Sequence, residues 1–512
     1  MTGFIKNCIK RILKEVNAGE EIHFDVMKAP PFTACDYATN VLTKVGAQYT
    51  APLRQKLLEE NIFEEVKIQM PFLNMRLTND FIKEMFLKAV KEQRAVEKKK
   101  GKIIIEFISA NPTGPIHIGH IRGGVLGDCL ARILRHRGCD VETQYYVNDR
   151  GRQVKLLAES VAAAKNKQPA PENGYSGEYI EEIAGTLDGK LETGEIQKIA
   201  VQKILGRIKD DLVKLDIKFD TFFFETSLYE KDNAGKTLKI LKEKNVIFEK
   251  DNAIWLNVEG WDDKDRVLFK KDGEPTYFFS DIMYHSEKFR RAGICINIWG
   301  ADHHGYTGRI KRAVGLLGYN PDNLKIVLCQ IVRLKRGGEF LKMSKREGNF
   351  LTAGEVMREV GRDAVRFFLL TRKANAQLDF DLELAKERTQ KNPVYYIQYA
   401  NARICSIFEK AKQDNLKAGT GIDSLGDESR ELLRQICEFE DTVELCAAEY
   451  APHHLASYLL ALASSFHNFY DRNRVILEDR NVTGQRLLLI SGVRKVLGTG
   501  LGLLGISAPE KM

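Results

Sequence analysis

Two short stretches of this chain carry side chains whose types and spacing suit phosphate chemistry. The first is S-A-N-P-T-G-P-I-H-I-G-H, Ser109–His120. Pro112, Gly114 and Pro115 mark a tight loop, and Gly119 lets backbone come close to a ligand. His117 and His120 lie three residues apart where a helix begins, so both imidazoles can face one space beside helix N–H groups that favour an anion. The second is L-K-M-S-K-R-E-G-N, Leu341–Asn349, in which Lys342, Lys345 and Arg346 surround the hydroxyl of Ser344. Such a basic loop suits a clamp on a polyphosphate, although read alone it is also an ordinary solvated surface. A third feature is Glu106, a carboxylate inside the apolar run I-I-I-E-F-I, which is costly to bury without a cation. No Ser–His–Asp arrangement is evident, so the chemistry implied is positioning and charge stabilisation rather than attack by a protein nucleophile.

The elements around these motifs read as a doubly wound α/β domain. Residues 103–108 form a nearly continuous apolar run, the pattern of a strand buried on both faces of a parallel sheet. The histidine loop follows, then a helix over Ile121–Arg137 and a strand over Asp140–Val147. Gly123, Gly124 and Gly127 predict a helix packed closely on that sheet. Residues 155–225 read as a mostly helical insertion between the two halves of the sheet, with strands resuming at Ile294–Trp299 and Ile326–Val332. Before this domain, residues 1–92 mix helical spacing (Ile5–Ile12, Leu53–Ile62) with strand-like alternation (Glu65–Met70). The lysine-rich run Lys91–Lys102 reads as a linker. After about residue 383 strand signals vanish, and helices are expected over Tyr395–Phe408, Leu432–Glu444, His454–Tyr470 and Gly484–Leu504.

Composition bounds the function classes. With 78 Lys and Arg against 70 Asp and Glu, the formal charge of +8 over 512 residues permits a polyanionic partner without requiring one. Nine scattered cysteines with no C-x-x-C pair speak against a zinc site or a disulfide framework, and for reduced thiols in the cytoplasm. The amphipathic N-terminus lacks the apolar core of a secretory signal, and Glu15, Glu20 and Glu21 count against a transit peptide. No window is apolar enough for a membrane span.

Taken together and in this order, H-I-G-H and K-M-S-K resemble the signature of class I aminoacyl-tRNA synthetases. Further stretches resemble the arginyl-tRNA synthetases in particular: P-F-L-N-M-R-L (Pro71–Leu77), E-F-I-S-A-N (Glu106–Asn111), Y-V-N-D-R-G-R-Q (Tyr146–Gln153), Y-F-F-S-D (Tyr277–Asp281), W-G-A-D-H-H-G-Y (Trp299–Tyr306), Y-Y-I-Q-Y-A-N-A-R (Tyr395–Arg403) and the closing L-G-L-L-G-I-S-A-P-E-K-M (Leu501–Met512). The resemblance implies a Rossmann-like, doubly wound parallel-sheet catalytic domain over 93–382, an N-terminal α+β domain over 1–92 that meets the tRNA elbow, and an all-helical anticodon-binding domain over 383–512.

The same resemblance implies ligation of L-arginine to tRNA(Arg) through an arginyl-adenylate, with ATP and Mg2+ but no zinc, by a cytoplasmic monomer. His117, Gly119, His120, Lys342, Ser344 and Lys345 would bind ATP, with the two histidines and two lysines catalytic. Arg346 stands where the family often has serine, and it keeps a cation there. Glu106 and Asp281 would grip the guanidinium, with Tyr277 supplying a hydroxyl or ring face. Ser109, Asn111 and His303 would hold the α-amino and carboxylate end. Tyr395, Tyr399 and Phe469 would either stack on anticodon bases or belong to the helical core, and Gln398, Asn401 and Arg403 share their helix. A cysteine-activating relative, a non-catalytic tRNA-binding paralogue and a nucleotidyltransferase of the same fold remain alternatives. The first would carry zinc ligands, the second would have lost a motif, and the third would lack the helical domain and the Glu106/Asp281 pair.

Overall fold

A computed structural model of the chain describes residues 1–18, 22–91, 98–230, 232–258, 264–341, 351–423 and 426–512. The run of isoleucines at 103–105 is buried and becomes the middle strand, Lys102–Glu106, of a five-stranded parallel sheet. Across that sheet the order is Leu324–Cys329, Ile294–Gly300, Lys102–Glu106, Asp140–Val147, Thr221–Phe224. The first strand in sequence therefore lies between the second and the fourth, and the chain's winding reverses beside it. In open α/β sheets ligands bind at the carboxyl ends of strands at such a reversal. Here the registers put Glu106 opposite Gln144 on one side and Asn297 on the other.

The helix after the histidine loop runs from Ile118 to His136, and its glycines explain its closeness to the sheet. A Cβ on Gly127 would sit 2.3 Å from Cγ of Phe107, and one on Gly124 would sit 2.6 Å from Cδ1 of Ile108. The helix thus rests directly on the two residues that leave the central strand. Arg122, also on this helix and buried, donates to the carbonyls of Gln330, Lys373 and Ala376 at 2.8–2.9 Å.

Three expectations about element placement change. Residues 152–214 do form helices, Arg152–Lys165, Glu178–Ala184 and Thr193–Lys214, but they lead into the strand Thr221–Phe224 and so lie within the first half of the sheet, not between its halves. That strand is only four residues long, too short for its alternation to stand out from the helical stretch. Between the halves, after residue 225, sits an antiparallel sheet of Ile247–Lys250, Ala253–Leu256 and Arg266–Phe269. The apolar run Ile326–Val332 belongs to two strands: Leu324–Cys329 closes the large sheet, and Val332–Arg336 pairs in parallel with Leu378–Asp381.

In the N-terminal region, the helix Thr2–Glu15 buries Ile5, Ile9 and Ile12, and an antiparallel sheet has the order Val26–Lys28, Tyr37–Thr39, Phe72–Leu77, Phe63–Gln69. The C-terminal region is helical, with Pro393–Gln413, Asp427–Cys437, Phe439–Glu449, His453–Arg472 and Arg480–Leu503. The single helix expected over Leu432–Glu444 is two, interrupted at Glu438. Phe469 is fully buried and belongs to this core, whereas Tyr395 and Tyr399 are partly exposed. Gln398 and Asn401 are spent inside the fold, donating to Asp363 at 2.8 Å and to the carbonyl of Pro509 at 2.9 Å. Arg430 ties the two terminal regions together through paired 2.8 Å bonds to Asp36.

Glycine packing gives a direct test. Gly127→Ala forces a methyl into Phe107 and is expected to destabilise by about 1–3 kcal/mol. Gly206→Ala, on the helix Thr193–Lys214 with nothing within 4 Å of the new methyl, should stabilise by about 0.4–1 kcal/mol. Thermal unfolding midpoints should therefore move in opposite directions, and equal shifts would contradict the packing.

Candidate active site

At the end of the central strand the backbone turns through two residues with left-handed conformations, Ile108 (φ 65) and Ser109 (φ 42). A β-branched residue rarely adopts such a φ, and local strain of this kind persists where surroundings over-determine it. Here the surroundings are the helix glycine beneath Ile108 and the hydroxyl of Ser109, which donates to Glu106 Oε1 at 3.0 Å and accepts from the Tyr146 N–H at 3.1 Å. The following loop is held from two sides, by Tyr145 Oη on the Ala110 carbonyl at 2.8 Å and Tyr179 Oη on the Thr113 carbonyl at 3.0 Å.

His117 is the N-cap of the helix Ile118–His136. Its Nδ1 accepts from the Gly119 N–H at 3.1 Å, and the Nδ1 of His120 accepts from the His117 N–H at 3.3 Å. Nδ1 acting as acceptor in both rings leaves Nε2 as the protonated nitrogen of each neutral imidazole, a donor suited to phosphate oxygens. The rings stack with centroids 3.8 Å apart. Gly119 makes that stacking possible, since a Cβ there would lie 3.0 Å from Cε1 of His117. Its smallness thus serves the histidine ring, where the sequence pointed to close approach of a ligand.

Lys342, Ser344, Lys345 and Arg346 lie outside the described residues. The chain on either side of them is described. The Leu341 N–H donates to the Leu334 carbonyl at 2.9 Å, Thr352 pairs with His117 in an antiparallel bridge, and the Ala353 N–H donates to the Ile116 carbonyl at 2.9 Å. Backbone 235 residues downstream is thus stitched to the first histidine itself.

Two adjoining cavities open at the strand ends. One, of 790 Å³, is lined by His120, the loop from Ile108 to Pro115, Gln153, Tyr175 and Tyr179. The other, of 490 Å³, is lined by Glu106, Tyr146, Tyr277, Asp281, Trp299 and Tyr306 among others. They share Ser109, Asn111, Gly300, Asp302 and His303. Asn111 donates to Gln153 at 2.6 Å, and His303 is half exposed beside the Trp299 ring. His117 is not among the lining residues and meets the first cavity through the ring of His120.

Tyr277 and Asp281 occupy the first turns of the helix Tyr277–Arg291, capped by Thr276, not a surface hairpin. Tyr277 is exposed at the cavity mouth, and Asp281 is one turn further in. Two further turns of this face carry the residues that sequence reasoning missed. Lys288, with a fully buried side chain, donates to Glu106 Oε2 at 2.7 Å and to Asn297 Oδ1 at 2.7 Å. Asn297 Nδ2 in turn donates to His285 Nε2 at 2.8 Å, and His285 Nδ1 donates to the Asp281 carbonyl at 2.7 Å. Burial, then Lys288, hold His285 well below the usual imidazole range, so it is neutral. The cation that Glu106 requires is therefore supplied by the chain.

Asp281 has no such partner. Its side chain accepts from Tyr306 Oη at 2.6 Å, and among the described residues no cation lies within ion-pairing distance of it. Burial pushes its carboxyl up to about 7; the Tyr306 bond opposes that shift, and the charges of Glu106 and Glu225 add to it. Glu225, also buried and unanticipated, is raised by burial against bonds to Tyr146 and Ser280. The arrangement can thus take an anion at the helix start and a cation in the acidic slot, held side by side. A signal for Lys288 and His285 existed in the sequence: Asp281, His285 and Lys288 recur at helical spacing among apolar neighbours.

Comparison with known proteins agrees with this geometry. The family described as "tRNA synthetases class I (R), catalytic domain" matches residues 81–374, and the "DALR anticodon binding domain" matches residues 397–512. An arginine–tRNA ligase of Carboxydothermus hydrogenoformans is 40% identical over 554 residues, covering 100% of this chain and 99% of the relative. One from Nitratidesulfovibrio vulgaris is 44% identical over 469 residues, covering 86% of this chain and 85% of the relative. The structure of Thermus thermophilus arginyl-tRNA synthetase superposes with a TM-score of 0.81 at 22% identity, covering 100% of both chains, a likeness of fold.

The environment of Asp281 is testable without any ligand. Its carboxyl carbon should titrate near pH 7 by NMR, and Tyr306→Phe, which removes the hydrogen bond favouring the ionised form, should move that titration higher still. A titration in the ordinary carboxylate range would refute the uncompensated burial described here.

Proposed function

The chain belongs to the arginine–tRNA ligases of class I, and from that premise we propose that the two adjoining cavities hold ATP and arginine for the reaction of this family. The family's reaction joins the arginine carboxylate to the α-phosphate with loss of pyrophosphate, then passes the arginyl group to the 3′ end of tRNA(Arg) with loss of AMP. In this proposal His117 and His120 present Nε2–H donors, and the helix start its N–H groups, to the ATP phosphates. Gly119 keeps the stacked rings in place. Lys342, Ser344 and Lys345 reach the same phosphates, which the backbone bridge between Thr352 and His117 supports. Because the reactants are both anionic, charge neutralisation and alignment make up most of the catalysis.

The observation that carries the arginine assignment is Asp281: a buried carboxylate to which the described chain gives a hydroxyl but no cation. A planar, permanently charged guanidinium completes it. Tyr277 closes the mouth of the slot, Glu106 forms its floor, and Ser109, Asn111 and His303 face the α-amino and carboxylate end from the shared wall. Ser109 keeps lone-pair capacity for an α-ammonium while its proton is held by Glu106.

Mg2+ enters with the ATP phosphates. Among the described residues no cluster of three or more His, Cys, Asp or Glu side chains is able to hold an ion by itself. Magnesium in such sites keeps several waters and leans on phosphate oxygens. On the RNA side, residues 383–512 read the anticodon, residues 1–92 meet the tRNA elbow, and 93–382 carry the chemistry. Tyr395 and Tyr399, partly exposed, are the aromatics open to stacking. The proposal retains a monomeric, cytoplasmic enzyme. No described helix is long and apolar enough to cross a membrane.

ATP–pyrophosphate exchange with each amino acid, with and without tRNA, tests the assignment, and exchange driven by any amino acid other than arginine would overturn it. Within it, Asp281→Asn should raise the arginine KM by about 100-fold or more, as for truncating one partner of a buried charge pair. The pH dependence has a definite sign. Arginine binds the ionised carboxyl, which in the empty enzyme forms as pH rises through about 7. Arginine affinity should therefore be level above that point and fall about tenfold per unit below it, with about one proton released on binding at pH 6. A flat profile between pH 5.5 and 8 would count against Asp281. Lys345→Ala should slow adenylate formation while leaving tRNA affinity unchanged; unaltered exchange would exclude the loop's role.

A further inference from the structure

We infer that Lys288 is a positioning residue that fixes the charge of the arginine slot: by pairing with Glu106 it removes that carboxylate from ligand binding, so that Asp281 alone carries the preference for a cationic side chain. The inference rests on the slot assignment proposed above. Its ground is the contrast between two carboxylates lining one cavity. Glu106 Oε2 is bonded to the Lys288 ammonium at 2.7 Å and Oε1 to the Ser109 hydroxyl at 3.0 Å, with both ends of the ion pair almost wholly inaccessible. Lys288 is further held by Asn297 at 2.7 Å and lies over the ring of Tyr284, its nitrogen 4.3 Å from the centroid. Asp281 has only the Tyr306 hydroxyl.

The arithmetic of charge follows. A guanidinium brings one positive charge into a buried space. Two unpaired carboxylates with one guanidinium would leave a buried excess negative charge, which is strongly disfavoured. With Lys288 cancelling Glu106, the Glu106–Lys288–Asp281 set sums to a single negative charge, the complement of one guanidinium. The same pair also fixes geometry. Glu106 holds the Ser109 hydroxyl, Ser109 accepts from the Tyr146 N–H, and His285 and Asn297 connect Lys288 to the backbone of Asp281 itself. Lys288 touches no reacting atom. It acts through Glu106.

The experiment compares L-arginine with its neutral urea isostere, L-citrulline, in competition during ATP–pyrophosphate exchange with tRNA present. Three variants are compared with the wild type: Glu106→Gln, the double variant Glu106→Gln with Lys288→Met, and Asp281→Asn. Glu106→Gln leaves an uncompensated ammonium beside the slot. It should weaken arginine by about tenfold or more while changing citrulline by less than about threefold, because only the cation is repelled. A loss of tightness from a merely structural role would weaken both alike and would overturn the inference. The double variant removes both charges in near-isosteric form, an exchange that folded proteins tolerate well. It should return arginine to within about threefold of wild type and keep the preference over citrulline. If the double variant loses arginine as fully as Glu106→Gln does, Glu106 itself holds the guanidinium and the inference falls. Should Glu106→Gln fail to fold, the double variant alone decides by the same criterion. Asp281→Asn separates the two levels: undiminished arginine binding there removes the slot assignment, whereas a large loss there with an intolerant double variant removes only the role given to Lys288.

Discussion

The site depends on how buried carboxylates are neutralised. Taking an ionised carboxyl out of water costs several kcal/mol unless charge and hydrogen bonds replace the lost hydration. Glu106 meets that condition internally, through Lys288 and Ser109. Asp281 meets it only in part, and its carboxyl is pushed up to about 7 as a result. A protein interior that satisfies one acid and leaves its neighbour short of a cation has a vacancy defined in both sign and place. Everything else in the cleft then has a task relative to that vacancy: to frame it, as the helix carrying Asp281, His285 and Lys288 does, or to bring a second reactant beside it, as the histidine loop does.

The second reactant's position follows from backbone rather than side-chain chemistry. The histidine rings are set by hydrogen bonds from main-chain N–H groups and by the missing Cβ of Gly119. The helix they cap is pressed onto the sheet by Gly124 and Gly127. Its buried Asp128 is bonded by Arg366, which also donates to the carbonyls of Leu504 and Leu215 at 2.8 Å. One guanidinium thereby joins the histidine helix, the helix following the lysine loop, the end of the insertion and the end of the C-terminal helix. Segments far apart in sequence share a small number of fully buried anchors, so the cleft is held by long-range packing and not by its loops alone.

What was legible in the sequence was whatever a local pattern encodes. The buried strand at 102–106, the glycine-faced helix after it, the helical C-terminal region and the i, i+4 relation of Tyr277 and Asp281 all follow from periodicity or from short motifs. Lys288 and Asn297 were invisible for a physical reason: their meaning lies in meeting Glu106 across three elements, and no spacing rule links residues 106, 288 and 297. The misplacement of the 155–225 segment has a different cause. Thr221–Phe224 is a strand by virtue of its neighbour Asp140–Val147, since four residues carry too little alternation of their own. Phe469 shows the opposite ambiguity, an aromatic at helical spacing that is core in fact and had an equally good reading as a base-stacking surface.

The balance of charge in the slot also explains how selectivity is reached without bulk. An apolar pocket separates ligands differing by one methylene only weakly, whereas buried polar groups left without partners penalise a wrong ligand heavily. A neutral isostere of arginine would leave Asp281 ionised and unpaired or force it to take up a proton. Lysine carries the right charge as a compact point, and lacks the planar fork that two donors on one carboxylate require. Both rejections come from the same carboxylate, and both depend on Glu106 being unable to offer itself as a substitute. On this physical account, the buried pair of Glu106 and Lys288 contributes to selectivity precisely by being closed to the ligand, and the open acid beside it is selective because it is the one group in the slot still lacking a counter-charge.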